Sequence, residues 1–108
     1  AIILASQVSG CKVLNLSWGR RGLPSFIEED VLATVVTDYD VLLVAAAGND
    51  NNTDKYYPAS YDQYVLSVAA TDATDAKALF SPSGGSNYNS SVDISAPGRA
   101  IVTALGTI

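Results

Sequence analysis

One apolar run that ends in small residues constrains the fold of this chain more than any other feature. The run Val41–Val44 consists of β-branched and leucine residues and predicts a strand buried on both faces. The small residues of Ala45–Gly48 follow and leave room for another chain to approach the end of that strand closely. Asn49 then places an amide donor at the edge of this opening, where an enzyme can hold a developing negative charge.

The remaining patterns predict an α/β fold. Ser25 and Glu28 form a capping box, in which each side chain bonds a free backbone N–H at a helix start, and a broad apolar face continues that helix to about Tyr39. Because buried strands and helices alternate along the chain, we expect a mostly parallel sheet. The other predicted elements are a helix over Ile2–Val8, strands over Lys12–Leu16, Tyr64–Ala70, Val92–Ser95 and Ala100–Ala104, and loops over Gly48–Gln63 and Ser83–Ser91.

Composition narrows the classes of partner. The 108 residues carry a net charge of −5, which argues against nucleic acid or an anionic membrane as the partner. The hydrophobic content of 48% excludes disorder, while only 16% of the residues are charged, so we expect further chain to cover part of the surface. Cys11 is the single cysteine and is expected to be a small buried residue without a disulfide.

Several kinds of chemistry lack support in the sequence. It contains neither a Gly-x-Gly-x-x-Gly fingerprint nor a Walker-type lysine motif, which are the usual nucleotide-binding signals. With no histidine and one cysteine, the chain is a poor candidate for a zinc or copper site. The absence of histidine also means that a Ser-His-Asp triad cannot form within these residues.

Several segments taken together resemble the subtilisin-like serine proteases (subtilases, peptidase S8 family). They follow that family's order and spacing over nearly the whole chain: Val13–Gly19, Val44–Asn49, Tyr57–Tyr61, Val65–Thr71, Phe80–Ser81 and Val92–Gly98. The resemblance implies a three-layer α/β sandwich with a mostly parallel sheet, of which residues 1–108 are a central part. The segments with the catalytic Asp and His would precede Ala1, and the one with the nucleophilic Ser would follow Ile108.

The resemblance assigns catalytic and substrate-binding roles. Asn49 would be the oxyanion-hole asparagine; the alternative is an asparagine that caps its own loop. Leu16–Gly19 (Leu16, Ser17, Trp18 and Gly19) would pair with the substrate as an added strand. Trp18 replaces the leucine-like residue usual in the family, so it would narrow a subsite, unless it is a core tryptophan unrelated to substrate.

A primary specificity pocket is implied around the same strand end. Ala46, Ala47 and Gly48 would form one wall, which must be small so that a P1 side chain can enter. Asp50 would lie near the rim and Tyr56 near the base. An acidic rim favours Lys or Arg at P1 whereas a tyrosine shortens the pocket, so the preference stays open.

The family also implies a weak cation site. Asp93 would supply a carboxylate, with backbone carbonyls from around Ala59 and Tyr61, and oxygen ligands of this kind suit calcium. Sodium or water would serve equally well, and a solvated Asp93 is the alternative; no cofactor is expected to be required. The resemblance further implies that the Tyr57–Pro58 peptide bond is cis.

The function implied is that of a secreted serine endopeptidase that cleaves peptide bonds through an acyl-enzyme. The expected partners are a peptide or protein substrate and the remaining segments of the peptidase domain. Alone, the chain should be inactive because it lacks the nucleophile and the base. One rival is a non-catalytic peptide-binding module of the same fold, and another is a generic α/β ligand-binding domain.

Overall fold

A parallel sheet is the frame of the computed structural model, which describes residues 1–7 and 10–103. Within these residues, the chain order of the elements is α1 (Ile2–Gln7), β1 (Val13–Leu16), β2 (Arg20–Arg21), α2 (Phe26–Tyr39), β3 (Leu42–Ala46), β4 (Tyr56–Tyr57), β5 (Val65–Thr71) and β6 (Ile94–Pro97). The main sheet has the strand order β1-β3-β5-β6, and every neighbouring pair is parallel. The predicted α/β fold with a mostly parallel sheet is confirmed.

Helix α2 begins where its capping residues predict, but only the Ser25 half of the capping box forms, because the Ser25 N–H donates to the Tyr61 hydroxyl and not to the Glu28 carboxylate. The Ser25 side chain accepts a hydrogen bond from the Glu28 N–H at 3.5 Å, and Asp40 ends the helix in the left-handed conformation with φ 54°. Leu32 and Val35 on the inner side of α2 are buried. Ile27, an apolar residue in the first turn of the helix, instead lines an open groove and is 81% exposed. Neither α1 nor α2, the helices of the described residues, is long and apolar enough to cross a bilayer.

The two faces of the sheet differ in burial. Leu43 is fully buried in the core that α2 covers, together with Ala45 and Val65. Alternate residues point to the opposite face, where Val13 is 59% and Leu42 49% exposed. Strand β3 was expected to be buried on both faces. Within residues 1–7 and 10–103 it is buried on one face only, because the helices of these residues cover that face alone.

Several boundaries differ from the predictions. The two-stranded antiparallel pairing of β2 with β4 was missed, and β4 lies inside the predicted loop Gly48–Gln63. Strand β6 begins and ends two residues later than Val92–Ser95, because the pairing with β5 starts at Ile94 opposite Val68. Residues 100–103 form no strand, Ala104 and Val8 lie outside the described residues, and Cys11 is only partly buried.

Tyr61 ties the start of α2 to the turn after β4. Its hydroxyl accepts a hydrogen bond from the Ser25 N–H and donates one to the Glu28 carboxylate, both at 2.8 Å. The Tyr57–Pro58 bond in this turn is cis. Burial of the hydroxyl raises the pKa of Tyr61 above the usual 10.0; the Ser25 N–H opposes this shift and the Glu28 carboxylate adds to it.

We predict that Tyr61 makes folding sensitive to alkaline pH. Because its pKa is higher in the folded chain, its contribution to the free energy of unfolding is complete below about pH 10 and is lost as the pH rises through the folded pKa. Tyr61→Phe should lower that free energy by about 1 kcal/mol at neutral pH and flatten its decline above pH 10. Urea unfolding across this range checks it, with the exposed Tyr88→Phe as control; parallel curves for Tyr61→Phe and wild type would contradict it.

Candidate active site

A cleft opens where the chain leaves two neighbouring parallel strands. Leu16 pairs with Ala45, so the carboxyl ends of β1 and β3 lie side by side and the segments that follow them diverge from one edge. A cavity of about 220 Å³ lies between these segments. It is lined by Ser17, Trp18, Gly19, Ala46, Gly48, Asn49, Asp50 and Tyr56. All eight belong to the predicted catalytic and substrate-binding set, whereas Leu16 and Ala47 are buried behind them.

The segment after β1 forms one side of the cleft. Ser17 and Gly19 are exposed, and Trp18 is 53% exposed, so Trp18 is not part of the core that the described residues form. Immediately beyond Gly19, β2 pairs with β4, and this pairing places Arg21 opposite Tyr56. A Cβ on Gly19 would lie 3.3 Å from the Tyr57 carbonyl oxygen. The segment is therefore held close to β4 with its backbone open to the cleft.

Asn49 lies at the lip of the cavity. Its side chain is exposed, and no residue that the structure describes forms a hydrogen bond with its amide. The asparagines that follow it behave differently, since Asn51 accepts from Lys77 and Asn52 accepts from the Asp54 N–H. The Asn52 bond caps its own loop and the Asn51 bond joins two side chains, whereas the Asn49 side chain forms neither kind of bond among the described residues, so its amide is available to a ligand in the cleft.

Asp50 and Tyr56 meet across the cavity. The Tyr56 hydroxyl donates a hydrogen bond to the Asp50 carboxylate. The acidic group predicted at the rim and the ring predicted at the base are thus joined in one wall. The hydrogen bond from Tyr56 therefore positions the Asp50 carboxylate in this wall.

The sequence patterns missed Asn87, which lies directly behind the Asn49 loop. The stretch Ser83–Ser91 was predicted to be a surface loop, yet Gly85, Ser86 and Asn87 are buried, and Asn87 is 0% exposed. The Asn87 amide group donates to the Ala47 carbonyl at 3.1 Å and accepts from the Asp50 N–H at 2.9 Å. A polar residue in a Gly/Ser-rich stretch gives no burial signal, because its partners lie far away in the chain.

Two of the oxygens predicted for a weak cation site already accept hydrogen bonds. An Asp93 oxygen accepts from the Ser67 N–H at 2.7 Å, which ties it to β5. The Tyr61 carbonyl already accepts from the N–H groups of Tyr64 and Val65, and Ala59 is 2% exposed in the core. The cavity beside Asp93 is lined by neither Ala59 nor Tyr61. Among the described residues, no cluster of three or more His, Cys, Asp or Glu forms a metal site.

Comparison with known proteins decides the family. The model of the Subtilase family matches residues 1–107. The chain belongs to the subtilase family. The resemblance seen in the motifs is therefore confirmed over almost the entire sequence.

Individual subtilases agree with this assignment. The chain is 38% identical over 105 residues to a thermophilic serine proteinase of Bacillus sp. (strain AK1), covering 97% of this chain and 24% of the relative. It is also 38% identical over 98 residues to thermitase of Thermoactinomyces vulgaris, covering 91% of this chain and 32% of thermitase. This subtilase chain thus spans about a quarter to a third of the length of these curated relatives.

A solved subtilase shares the fold. The psychrophilic subtilisin-like protease Apa1 from the Antarctic psychrotroph Pseudoalteromonas sp. AS-11 superposes with a TM-score of 0.77 at 39% identity. The match covers 90% of this chain and 20% of that structure. The described sheet and helices therefore correspond to part of a subtilisin-like protease.

We predict that Gly48 cannot be replaced without disturbing the loop. Gly48 has φ +113°, and a Cβ there would lie 2.2 Å from the Asn87 Nδ2 atom. Backbone strain and overpacking together should make Gly48→Ala lower the free energy of unfolding by about 2–4 kcal/mol. Gly10→Ala is the matched control, because Gly10 also has a positive φ (+61°) but no atom of the described residues within 4 Å of its Cβ position. Equal losses in urea unfolding would contradict the predicted clash.

Proposed function

We propose that this chain is the central part of the peptidase domain of a subtilisin-like serine endopeptidase. In this proposal it supplies the oxyanion-hole asparagine, the strand that pairs with the substrate and the primary specificity pocket. The observation that carries the proposal is the cavity at the ends of β1 and β3, which has the Asn49 amide at its lip without a partner among the described residues. Since the chain has no histidine, the catalytic His would come from a segment outside these 108 residues, and the family resemblance implies the same for the catalytic Asp and Ser.

The proposed chemistry uses the geometry of the cleft. When a serine oxygen attacks the peptide carbonyl, the carbonyl oxygen becomes an oxyanion, and the Asn49 Nδ2–H would donate to it. The hydrogen bond is stronger to the oxyanion than to the neutral carbonyl, so it lowers the barrier instead of merely tightening substrate binding. Asn49 lies three residues beyond the end of β3, so the backbone that carries its amide is anchored close to the sheet.

Substrate alignment would use the exposed backbone of Ser17–Gly19. An extended peptide can add beside this segment as a strand, so main-chain hydrogen bonds provide affinity and pockets provide specificity. The P1 side chain would then enter the cavity past Ala46 and Gly48. The Trp18 indole, half exposed at the same edge, would contact the neighbouring substrate residue and narrow its subsite.

We place this activity outside the cell. A relative 46% identical over 92 residues is a cell wall-associated protease of Bacillus subtilis, although the match covers only 9% of that protein.

A weak cation site at Asp93 is a separate part of the proposal. Asp93 alone brings a charged oxygen and already accepts one N–H, so its donor set fits a weakly held hard cation at most. No step of the proposed reaction depends on that cation.

Asn49→Ala in the full-length protein tests the proposed function. Loss of the oxyanion donor should lower kcat by about 10²–10³-fold, the magnitude established for the corresponding asparagine of subtilisin itself, and leave KM within about twofold. Asn52→Ala is the control, because its side chain bonds only within the same loop. Retained kcat would contradict the role of Asn49. Failure of a peptide chloromethyl ketone to alkylate the wild type would favour the non-catalytic peptide-binding module.

Asp50→Asn tests the acidic wall of the pocket. Removing the charge should lower the ratio of kcat/KM for P1 Lys to that for P1 Leu by about fivefold, which corresponds to about 1 kcal/mol for a partly exposed ion pair. Asp54→Asn is the matched control, since Asp54 pairs with Arg21 and does not line the cavity. A panel of peptide substrates that differ only at P1 measures the ratio. An unchanged Lys/Leu ratio would remove Asp50 from the specificity pocket.

A further inference from the structure

We propose that Asn87 is a positioning residue for catalysis, which holds the loop that carries Asn49. The inference rests on the proposed oxyanion role of Asn49. Asn87 itself does not line the cleft, because it is 0% exposed behind it. Its effect would therefore pass entirely through the loop backbone.

Asn87 is bonded to the loop on both sides of Asn49. Before Asn49, the Asn87 N–H donates to the Gly48 carbonyl at 2.9 Å and its Nδ2 donates to the Ala47 carbonyl at 3.1 Å. After Asn49, its Oδ1 accepts from the Asp50 N–H at 2.9 Å and from the Asn52 N–H at 3.5 Å. One side chain thus fixes the backbone that enters and the backbone that leaves the proposed oxyanion donor.

Among side chains of this length, an amide satisfies these partners simultaneously, and a carboxyl group can do so only when protonated. The site needs a donor for a carbonyl and an acceptor for backbone N–H groups at the same end of one short side chain. Because Asn87 is fully buried, an apolar replacement would leave those loop N–H and C=O groups without a hydrogen-bond partner, since water does not reach them. A carboxylate would keep the acceptor but face the Ala47 carbonyl with a second acceptor.

The position of Asn87 is itself secured by the sheet. The Ser86 hydroxyl accepts from the Ala70 N–H of β5 at 2.8 Å. Gly85 donates to the Asn49 carbonyl at 3.1 Å and accepts from the Asn51 N–H at 2.9 Å. The segment 85–87 therefore connects the Asn49 loop to β5.

The consequence for catalysis follows from the free side chain of Asn49. An oxyanion donor must be held within about 0.5 Å of its productive position, and Asn49 has no side-chain bond among the described residues to hold it there. Its placement depends on its backbone, which Asn87 fixes. Since the oxyanion exists only along the reaction path, loosening Asn87 should lower kcat far more than it raises KM.

The test compares Asn87→Ala with Asn89→Ala in the full-length protein. Asn89 is a matched control in the same stretch, because its amide also bonds the backbone, donating to the Asp54 carbonyl and accepting from the Ser91 N–H, both at 2.9 Å, but forms no hydrogen bond with residues 47–52 among the described residues. Asn87→Ala should lower kcat by about 10–10²-fold with KM within about twofold, the effect of a displacement near 1 Å, whereas Asn89→Ala should change kcat less than about twofold. Unfolding curves confirm that each variant is folded under assay conditions.

A double-mutant cycle tells a positioning role from a general structural one. In an Asn49→Ala background, adding Asn87→Ala should lower kcat by less than about twofold, because the side chain that Asn87 positions is already absent. An equal loss of kcat in both backgrounds would overturn the proposal, as would an unchanged kcat in folded Asn87→Ala. If Asn49→Ala alone leaves kcat unchanged, the proposed function fails and this inference fails with it.

Asn87→Asp provides a second variant of nearly the same size. Its introduced carboxyl group can replace the amide only when protonated, because it then donates through O–H and accepts through C=O. The ratio of its kcat to that of wild type should therefore rise severalfold as the pH falls from 8 to 5.5, and this rise should vanish in the Asn49→Ala background. If the kcat ratio of folded Asn87→Asp to wild type does not change with pH, the proposal is overturned. If the ratio still rises in the Asn49→Ala background, the proposal is also overturned, because the effect then comes from repulsion between the introduced carboxylate and the oxyanion.

Discussion

The parallel pairing of β1 with β3 is the constraint on which the rest of the structure depends. Its register sets Leu16 beside Ala45, so both chains leave the sheet at the same edge and can enclose a cavity. Parallel strands need a crossover, and α2 supplies it while burying Leu43 and its neighbours. A shift of one residue would turn the buried set of β3 to the opposite face and separate the cleft segments. The parallel pairing of β1 with β3 thus fixes both the core packing and the geometry of the cleft.

Beyond the sheet, the cleft is shaped by small residues and backbone hydrogen bonds more than by bulky side chains. Gly19 lets the first segment approach β4, and Gly48 leaves the space that the Asn87 amide fills. The charged and aromatic groups, Asp50 and Tyr56, then close one wall through their mutual hydrogen bond. Such a site combines a rigid rear surface with an open mouth, which suits the binding of an extended chain.

Much of this could be predicted from local patterns, and the failures share one cause. Apolar runs located β1, β3 and β5, and the capping pair located α2, because burial and helix capping leave signals in neighbouring residues. The resemblance located the cleft residues. The pairing of β2 with β4 and the burial of Asn87 depend on partners distant in the chain, which periodicity does not record. The prediction that β3 is buried on both faces fails within the described residues for a related reason, since burial reflects whatever covers the sheet and not the strand alone.

The distance along the chain between the loop and its support has a consequence for when the cleft takes shape. Strand order follows chain order in the main sheet, so each strand can pair with its predecessor soon after it is synthesised. The Asn87 amide, however, is separated by 40 residues from the Ala47 carbonyl that it holds, and β5 lies between them. The backbone around Asn49 therefore cannot reach its final form until a later part of the chain has arrived. A nascent chain would therefore pair β1, β3 and β5 before the backbone around Asn49 is fixed.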